Sequence, residues 1–229
     1  MKVVVLSSGG LDSTTCVGMA CRYYGKENVV TISVLYGQKH DKELQCAKKV
    51  AEHYGVPHFV FDLSEVFKWS DCSLLKGSTQ EIKHESYAEQ LKTETRVSTY
   101  VPFRNGLLLS TAAAIGISLF PDEKVEILYG AHADDYAGNA YPDCSPHFNA
   151  AMNSAISIGT GGDVRISAPF LYKDKAGVVK TGLELNVPYE LTWSCYEGGE
   201  KQCGTCATCL DRKEAFRKNN ATDPVAYEK

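Results

Sequence analysis

The sequence lacks the long apolar run of a membrane span, since no stretch approaches the roughly 18 residues needed to cross a bilayer. It opens with Lys2-Val3-Val4 and not with the layout of a signal peptide, so we expect a cytoplasmic protein. A strong charge of one sign is also missing: 24 Lys and Arg stand against 28 Asp and Glu. This balance disfavours a broad electrostatic grip on nucleic acid. We therefore expect neither a membrane nor a nucleic acid as a direct partner.

What remains has the composition of an ordinary globular protein, with 44% hydrophobic and 23% charged residues over 229 positions. The length suffices for one substantial α/β domain with an appendage. Nine cysteines are present. Without a secretory signal they suggest a reducing compartment, where clustered cysteines bind metal more often than they form disulfides.

The main motif is the loop Ser7–Ser13, which directly follows the apolar run Val3–Leu6 and precedes a helix-like segment from Thr14 to about Tyr24. A strand, a glycine loop and a helix start aim backbone N–H groups and the positive end of a helix dipole at one point. Gly9 and Gly10 permit backbone angles and a close ligand approach that a side chain would block. The loop is therefore suited to bind an anion.

This loop differs from the two common phosphate loops. It lacks the lysine of a Walker A motif, and its glycines are adjacent, unlike those of the dinucleotide-binding G-x-G-x-x-G. The alternative to a binding loop is an ordinary glycine turn between a strand and a helix. The pattern resembles the S-G-G-x-D-S loop of the PP-loop ATP pyrophosphatases. That resemblance implies cleavage of ATP between the α- and β-phosphates and adenylation of a substrate.

Strand and helix signals alternate along the chain, which predicts an α/β fold: a doubly wound, mostly parallel sheet with helices on both faces. The predicted strands are Val3–Leu6, Val29–Tyr36, His58–Asp62, Val125–Tyr129, Arg165–Phe170 and Tyr189–Ser194. Helices are predicted at about 14–24, 39–54, 105–120, 147–158 and 174–186, with a last one from about Leu210. Two irregular insertions, about 64–99 and 131–146, have the character of substrate loops, lids or oligomer contacts.

The residues that follow three of these strands share one character. They are small, polar or acidic: Ser7-Ser8-Gly9-Gly10, Tyr36-Gly37-Gln38 and Gly130-Ala131-His132-Ala133-Asp134-Asp135. In a parallel α/β sheet the ligand binds beyond the carboxyl ends of the strands. The sequence thus predicts a nucleotide crevice at this edge.

Four cysteines near the end of the chain form a C-x7-C-x2-C-x2-C cluster. They are Cys195, Cys203, Cys206 and Cys209. Four thiolates so close in sequence predict one tetrahedral structural Zn²⁺ that fixes the C-terminal helix. An iron–sulfur cluster is the first alternative. A redox C-x2-C pair is the second, although it would leave two of the cysteines without a role. The cluster divides the chain into a predicted ATP-binding domain, 1–194, and a metal-binding module, 195–229.

Beyond the loop, the sequence resembles the QueC family, which makes 7-cyano-7-deazaguanine for the queuosine and archaeosine pathways. The matching tracts are Ser8–Cys16, Tyr36–His40, Val101–Asn105, Tyr141–Cys144, Leu191–Tyr196 and the terminal cysteines. One tract departs from the family pattern D-x-x-G-Y-P-D-C, because Asp135 to Tyr141 is two residues longer. This leaves a paralogue acting on a related deazaguanine as an alternative.

The resemblance implies an ATP-dependent ligase that joins 7-carboxy-7-deazaguanine and ammonia. The carboxylate is adenylated, ammonia gives the amide, and a second adenylation of the amide leads to the nitrile. ATP with Mg²⁺ and one structural Zn²⁺ are the implied cofactors, and a homodimer is the implied assembly. The rival interpretations are a tRNA-thiolating PP-loop enzyme and a non-enzymatic nucleotide sensor or zinc-ribbon module.

The resemblance also assigns residues. Ser8, Asp12, Ser13 and Lys175 are the expected catalytic residues. ATP is expected to contact Ser7, Ser8, Gly9, Gly10, Leu11, Asp12, Ser13, Thr14, Thr15, Cys16, Val17, Tyr36 and Gln38. The deazaguanine is expected to contact Arg104, Asn105, Asp135, Tyr141 and Asp143. For Lys175 a solvated surface position is the alternative, and for Asp143 it is a turn aspartate beside Pro142. Cys144 is expected only to line the site. His40 and His132 are expected to make plain polar contacts; a proton shuttle is their alternative.

Overall fold

The sheet has five strands, and a computed structural model describes all residues, 1–229. The strands are β1 (Lys2–Leu6), β2 (Val29–Leu35), β3 (His58–Asp62), β4 (Val125–Leu128) and β5 (Val164–Ser167). Their order is β3-β2-β1-β4-β5, and every pairing is parallel. The direction of winding therefore reverses at β1, which is where doubly wound folds open a ligand crevice.

Nine α-helices connect and follow the strands. They are α1 (Leu11–Tyr24), α2 (Lys42–Tyr54), α3 (Ser64–Phe67), α4 (Tyr87–Gln90), α5 (Arg104–Leu119), α6 (Ala133–Tyr136), α7 (Pro146–Gly159), α8 (Lys175–Glu184) and α9 (Ala207–Lys218). Short 3-10 turns lie at Lys26–Asn28, Ala137–Asn139, Pro142–Cys144 and Tyr189–Leu191. No helix combines the length and apolarity that crossing a bilayer requires.

Alternate residues of β1 lie in two separate cores, one on each face of the sheet. Val3 and Val5 pack with residues of α1, α2, α8 and α9, whereas Val4 packs with residues of α5 and α7. The uninterrupted apolar sequence of β1 is explained by this double burial, because both faces of a central parallel strand are covered. The predicted fold, with helices on both faces, is confirmed.

One predicted strand is wrong. Tyr189–Ser194 begins with the 3-10 turn Tyr189–Leu191 and forms no strand pairing. Its backbone instead contacts the first loop, since the Trp193 N–H donates to the Gly9 carbonyl over 3.0 Å. The apolar and β-branched residues of this segment are buried against the domain and not within a sheet.

The two irregular tracts contain little regular structure. Only the four-residue helices α3 and α4 lie between the end of β3 and the start of α5. The second tract contains α6 and the turns at Ala137–Asn139 and Pro142–Cys144. Both tracts supply residues to the cavity described next.

Candidate active site

A cavity of about 250 Å³ opens at the carboxyl ends of the strands. The residues that follow β1, β2 and β4 all line it, as the strand-end pattern predicts. Its wall contains most of the expected site residues: Ser7, Ser8, Gly10, Leu11, Asp12, Ser13, Tyr36, Gln38, Arg104, Asn105, Asp135, Tyr141 and Lys175. Gly9, Thr14, Thr15, Cys16, Val17 and Asp143 do not line it.

The loop between β1 and α1 is held together by its own hydroxyl groups. The Ser13 hydroxyl accepts the N–H of Ser8 over 3.1 Å and donates to the Gly10 carbonyl over 3.2 Å. The Ser8 hydroxyl contacts that of Ser13 over 3.1 Å and accepts the N–H of Gly10 over 3.2 Å. The loop therefore presents small polar groups at the N-terminus of α1, where the helix dipole favours an anion.

Gly9 has to be a glycine for two independent reasons. Its φ of +85° lies in the left-handed region, which side chains rarely adopt. A Cβ at this position would also lie 2.0 Å from the carbonyl oxygen of Glu43 and 2.5 Å from the nitrogen of Ala47. The loop thus packs directly against α2, so Gly9 acts on loop shape although it does not line the cavity.

Lys175 occupies the cavity wall and not a solvated surface. Its Nζ donates to Asp12 Oδ2 over 2.6 Å and lies 3.0 Å from His132 Nε2. Burial alone would lower the pKa of Lys175, but the charges of Asp12 and Asp135 outweigh it, and the pKa is raised. Burial likewise opposes ionisation of Asp12, yet the charge of Lys175 keeps the pKa of that carboxyl below its usual value. The pair is therefore ionised.

The position of Lys175 follows from the start of α8. Lys175 is the first residue of α8, and its backbone N–H donates to Asp134 Oδ2 over 2.7 Å. Asp174, the residue before the helix, caps it by accepting the N–H of Gly177 over 2.8 Å. Asp134 of α6 and the cap of α8 together direct the lysine toward the loop between β1 and α1. The second oxygen of Asp12, Oδ1, is buried and has no hydrogen-bond partner.

Another part of the wall carries Arg104 and aromatic rings. The guanidinium of Arg104 lies over the Tyr36 ring, 5.1 Å from its centroid. The arginine ion pairs of the protein belong to Arg165, Arg212 and Arg217, so Arg104 has no carboxylate partner. An unpaired guanidinium beside a cavity is suited to bind a carboxylate or phosphate oxygen.

The two predicted substrate aspartates have different positions. Asp135 lines the cavity, with one oxygen accepting the N–H of His132 over 3.0 Å. Asp143 is 5% exposed and accepts the N–H of Asn105 over 2.9 Å, at the start of α5. Asp143 therefore fixes the helix that carries Arg104 and is not part of the cavity wall. The side chain of Asn105 donates to the Asp143 carbonyl over 3.3 Å.

The four cysteines converge at the C-terminal end of the chain. All are buried, and their sulfur atoms lie within 4.8 Å of one another. Four thiolates around one tetrahedral ion with bonds of about 2.3 Å would be about 3.8 Å apart. The distance between Cys203 and Cys209 is 4.0 Å. Hydrogen bonds from the thiols of Cys195 and Cys209 lower the pKa of the Cys206 thiol. This donor set fits a single metal ion.

Comparison with known proteins identifies the family of a chain that has both this cavity and the four-cysteine cluster. The family model described as "Queuosine biosynthesis protein QueC" matches residues 2–220 of this chain. The chain belongs to the QueC family. Among curated relatives, 7-cyano-7-deazaguanine synthase 1 of Colwellia psychrerythraea is 41% identical over 99% of each chain. The synthase of Caldicellulosiruptor saccharolyticus is 43% identical over 100% of this chain and 96% of the relative.

The fold extends beyond the QueC family. The solved structure of NMN synthetase from Francisella tularensis superposes with a TM-score of 0.50 over 96% of this chain and 78% of that one. The two sequences are only 12% identical, so this likeness concerns the fold alone.

Several residues of this QueC chain line the cavity without having been predicted from sequence. Glu43 comes from α2, Tyr87 from the first irregular tract, and Tyr196, Thr208 and Asp211 from the C-terminal segment. Burial raises the pKa of Glu43 to about 7 and that of Asp211 to about 6. Tyr196, Thr208 and Asp211 lie within or beside the cysteine motif, but that motif signals a metal site and not a position in the cavity. The position of an acid in the first turn of α2 is the only sequence signal for Glu43.

The structure also gives the contacts of the two histidines for which polar contacts were predicted, His40 and His132. His40 Nε2 lies 3.1 Å from the Tyr196 carbonyl, a plain polar contact. His132 is 2% exposed, and its Nε2 lies between Lys175 and Asp135. Cys144 lines the cavity as expected.

Proposed function

We propose that this protein is a 7-cyano-7-deazaguanine synthase, a carbon–nitrogen ligase that converts 7-carboxy-7-deazaguanine, ammonia and ATP to the nitrile, AMP and pyrophosphate. The ionised Lys175–Asp12 pair beside the Ser7–Ser13 loop carries this proposal, within a chain that belongs to the QueC family. A lysine and a row of N–H donors at one point are what a departing pyrophosphate requires.

The first step activates a poor electrophile. A carboxylate oxygen of the substrate attacks the α-phosphorus of ATP, and the α–β bond breaks to release pyrophosphate. Negative charge accumulates on the leaving group, so stabilisation of phosphate charge and positioning supply most of the catalysis. The N–H groups of the loop, the hydroxyls of Ser8 and Ser13, and Lys175 hold the pyrophosphate in our proposal.

The following steps exchange oxygen for nitrogen. Ammonia attacks the acyl-adenylate carbon, AMP leaves with one carboxylate oxygen, and the amide forms. The amide oxygen then attacks a second ATP. Loss of that oxygen with AMP, together with the two amide protons, gives the nitrile. Arg104 is placed to bind the carboxylate before activation, because its guanidinium faces the cavity unpaired.

The proposed Mg²⁺ fits Asp12. Its Oδ2 is occupied by Lys175, but its Oδ1 is buried and unpartnered, and Mg²⁺ prefers carboxylate and phosphate oxygens. Mg²⁺ would neutralise charge on the phosphates of ATP. The ion pair between Asp12 Oδ2 and Lys175 fixes the orientation of the carboxylate, and thereby of its free Oδ1.

We also propose that the four-cysteine site holds Zn²⁺ with a structural role, in a module of residues 195–229 packed on the ATP-binding domain of residues 1–194. Four thiolates leave no open coordination position. In a four-iron cluster each cysteine binds a different iron atom, so the sulfurs stand farther apart than they do around one ion. The compact arrangement of these four sulfurs favours the single ion.

A homodimer in the cytoplasm completes the proposal. The edge strand β3 exposes 37% of Phe59 and 44% of Val60, and Trp69 nearby in sequence is 88% exposed. Exposed apolar residues on a sheet edge are typical of interaction surfaces. Light scattering after gel filtration tests this: a mass of twice 25.1 kDa is expected, and the mass of one chain would contradict the dimer.

Product analysis tests the function. The purified protein is incubated with ATP, Mg²⁺, ammonium and 7-carboxy-7-deazaguanine, and mass spectrometry follows the deazapurine. The nitrile is the expected product. AMP formed only with a different deazaguanine carboxylate would favour the paralogue. AMP formation that requires tRNA and a sulfur donor would favour the thiolating enzyme.

A further inference from the structure

Four hydroxyl groups form a continuous row in the cavity wall. Tyr196 is at its centre: its hydroxyl hydrogen-bonds that of Tyr87 and lies 3.3 Å from that of Tyr141. The Tyr141 hydroxyl in turn bonds that of Thr99. All four residues line the cavity. The ordinary pKa of a tyrosine hydroxyl is about 10, so these hydroxyls keep their protons at neutral pH.

The row joins three parts of the chain that are distant in sequence. Tyr87 and Thr99 belong to the first irregular tract, Tyr141 to the second, and Tyr196 to the C-terminal segment. Tyr141 also contacts two of the other parts, through the hydroxyls of Thr99 and Tyr196. Removing the Tyr196 hydroxyl would leave Tyr87 without its bond and would disconnect the C-terminal segment from the row, while the bond between Thr99 and Tyr141 would still join the two tracts.

The backbone of Tyr196 is fixed from both sides. Its carbonyl oxygen is 3.1 Å from His40 Nε2, and the next N–H, of Glu197, donates to Cys195 Sγ over 3.3 Å. A Cβ on Gly198 would lie 2.9 Å from the Cβ of His40, so the chain approaches the loop after β2 closely. The backbone that carries the Tyr196 side chain is consequently held against the loop after β2.

The four hydroxyls of the row have one more proton than the hydrogen bonds between them use. Each hydroxyl carries one proton and accepts through two lone pairs, so four hydroxyls have four protons. Three hydrogen bonds link them in a line. One O–H therefore stays without an acceptor inside the row, and all four residues line the cavity. Leaving a buried donor unpaired is costly, which favours a ligand acceptor there.

We propose that Tyr196 is a positioning residue for the heterocyclic base of the substrate: it holds the hydroxyl row in place, and the free O–H of that row donates to an acceptor atom of the deazapurine. The row itself contains no cationic group and none of the residues of the Ser7–Ser13 loop, where the phosphates bind in the proposed function. Aromatic rings beside the hydroxyls suit a flat heterocycle. This inference rests on the proposed function.

Calorimetry tests the inference. The wild type and Tyr196→Phe are titrated with 7-carboxy-7-deazaguanine in the presence of Mg²⁺ and α,β-methylene-ATP, which cannot be cleaved at the α–β position. We expect Tyr196→Phe to bind the deazapurine about tenfold more weakly, as expected for one lost buried hydrogen bond. The affinity for α,β-methylene-ATP alone should be unchanged.

The matched control is Tyr227→Phe. Tyr227 also lies beside the cysteine cluster, but its hydroxyl donates to Asp223 and it does not line the cavity. It should bind the deazapurine as the wild type does. Tyr87→Phe removes the neighbouring hydroxyl and should show the same loss as Tyr196→Phe, with no further loss in the double variant, because both act through one row.

The outcomes are separable. Unchanged deazapurine affinity in Tyr196→Phe and Tyr87→Phe overturns the inference and leaves the function intact. An equal loss of affinity for α,β-methylene-ATP overturns it as well, since that result would indicate general damage to the cavity. A wild type that binds no deazapurine overturns the proposed function first and the inference with it.

Discussion

The side-chain nitrogen of Lys175 lies 2.6 Å from a carboxylate oxygen of Asp12, although 163 positions separate the two residues in sequence. The contact joins the start of α8 to the loop after β1. In the proposed function this remote lysine takes the part that a lysine within the loop has in a Walker A motif.

Replacing Lys175 tests whether this lysine stabilises the departing pyrophosphate. Lys175→Met should lower the rate of ATP-dependent AMP formation by about 10²- to 10³-fold, as expected when a charged partner of a transition state is lost. Pyrophosphate release measures the rate. Lys173→Met is the control, because Lys173 lies two residues away and does not line the cavity. Equal rates for both variants would contradict the role of Lys175.

Gly9 allows a test of loop shape. Gly9→Ala should destabilise the protein by about 3 kcal/mol or more and abolish ATP binding, because left-handed strain adds to an overlap with the Glu43 carbonyl. Gly161→Ala is the control: its φ is +62°, but its Cβ would meet nothing within 4 Å. It should cost only about 1 kcal/mol. Urea unfolding compares the two, and similar losses would contradict the overlap.

How far the sequence predicts the molecule depends on whether a signal is local. The apolar run of β1, the glycine loop and the spacing of the cysteines are local, and each appears in the structure as expected. The segment Tyr189–Ser194 was misassigned because β-branched and apolar residues signal burial, whether or not the backbone pairs in a sheet. Its N–H groups bond to turns and to Gly9 instead.

The lining of the cavity could likewise be predicted only where the signal in the sequence is local. Residues directly after a strand could be assigned to it, because parallel strands end at one edge. Glu43, Asp211 and Tyr196 could not, since their positions depend on how α2 and the C-terminal segment pack. Asp143 was expected in the cavity because of its motif, but its carboxylate accepts the N–H of Asn105. Whether such an acid caps a helix or faces a ligand is decided by tertiary structure.

Glu43 should make stability depend on pH. Burial raises its pKa from 4.5 to about 7, so the unfolded state releases the proton more readily. The wild type should therefore lose stability relative to Glu43→Gln as pH rises from about 4.5 to about 7, by at most about 3 kcal/mol. Urea unfolding across this range measures the difference. Glu52→Gln, on the exposed side of α2, is the control, and a parallel course for both variants would contradict the prediction.

The cysteine site should hold one metal ion for each chain. Cys203→Ser should lose most of that metal and lower the melting temperature by about 10 °C, because binding energy at a structural site contributes to folding. Elemental analysis and thermal unfolding measure both quantities. Cys21→Ser, on α1 and away from the cluster, should retain the metal. Iron with a visible absorption band would contradict zinc.

The fate of the substrate's carboxylate oxygens tests the central claim most directly. 7-Carboxy-7-deazaguanine labelled with oxygen-18 in both carboxylate positions is converted with ATP, Mg²⁺ and ammonium, and mass spectrometry follows the label. Two successive adenylations predict two molecules of AMP for each nitrile, each AMP carrying one labelled oxygen, and unlabelled pyrophosphate. Label in inorganic phosphate, or ADP as the nucleotide product, would contradict cleavage at the α–β bond.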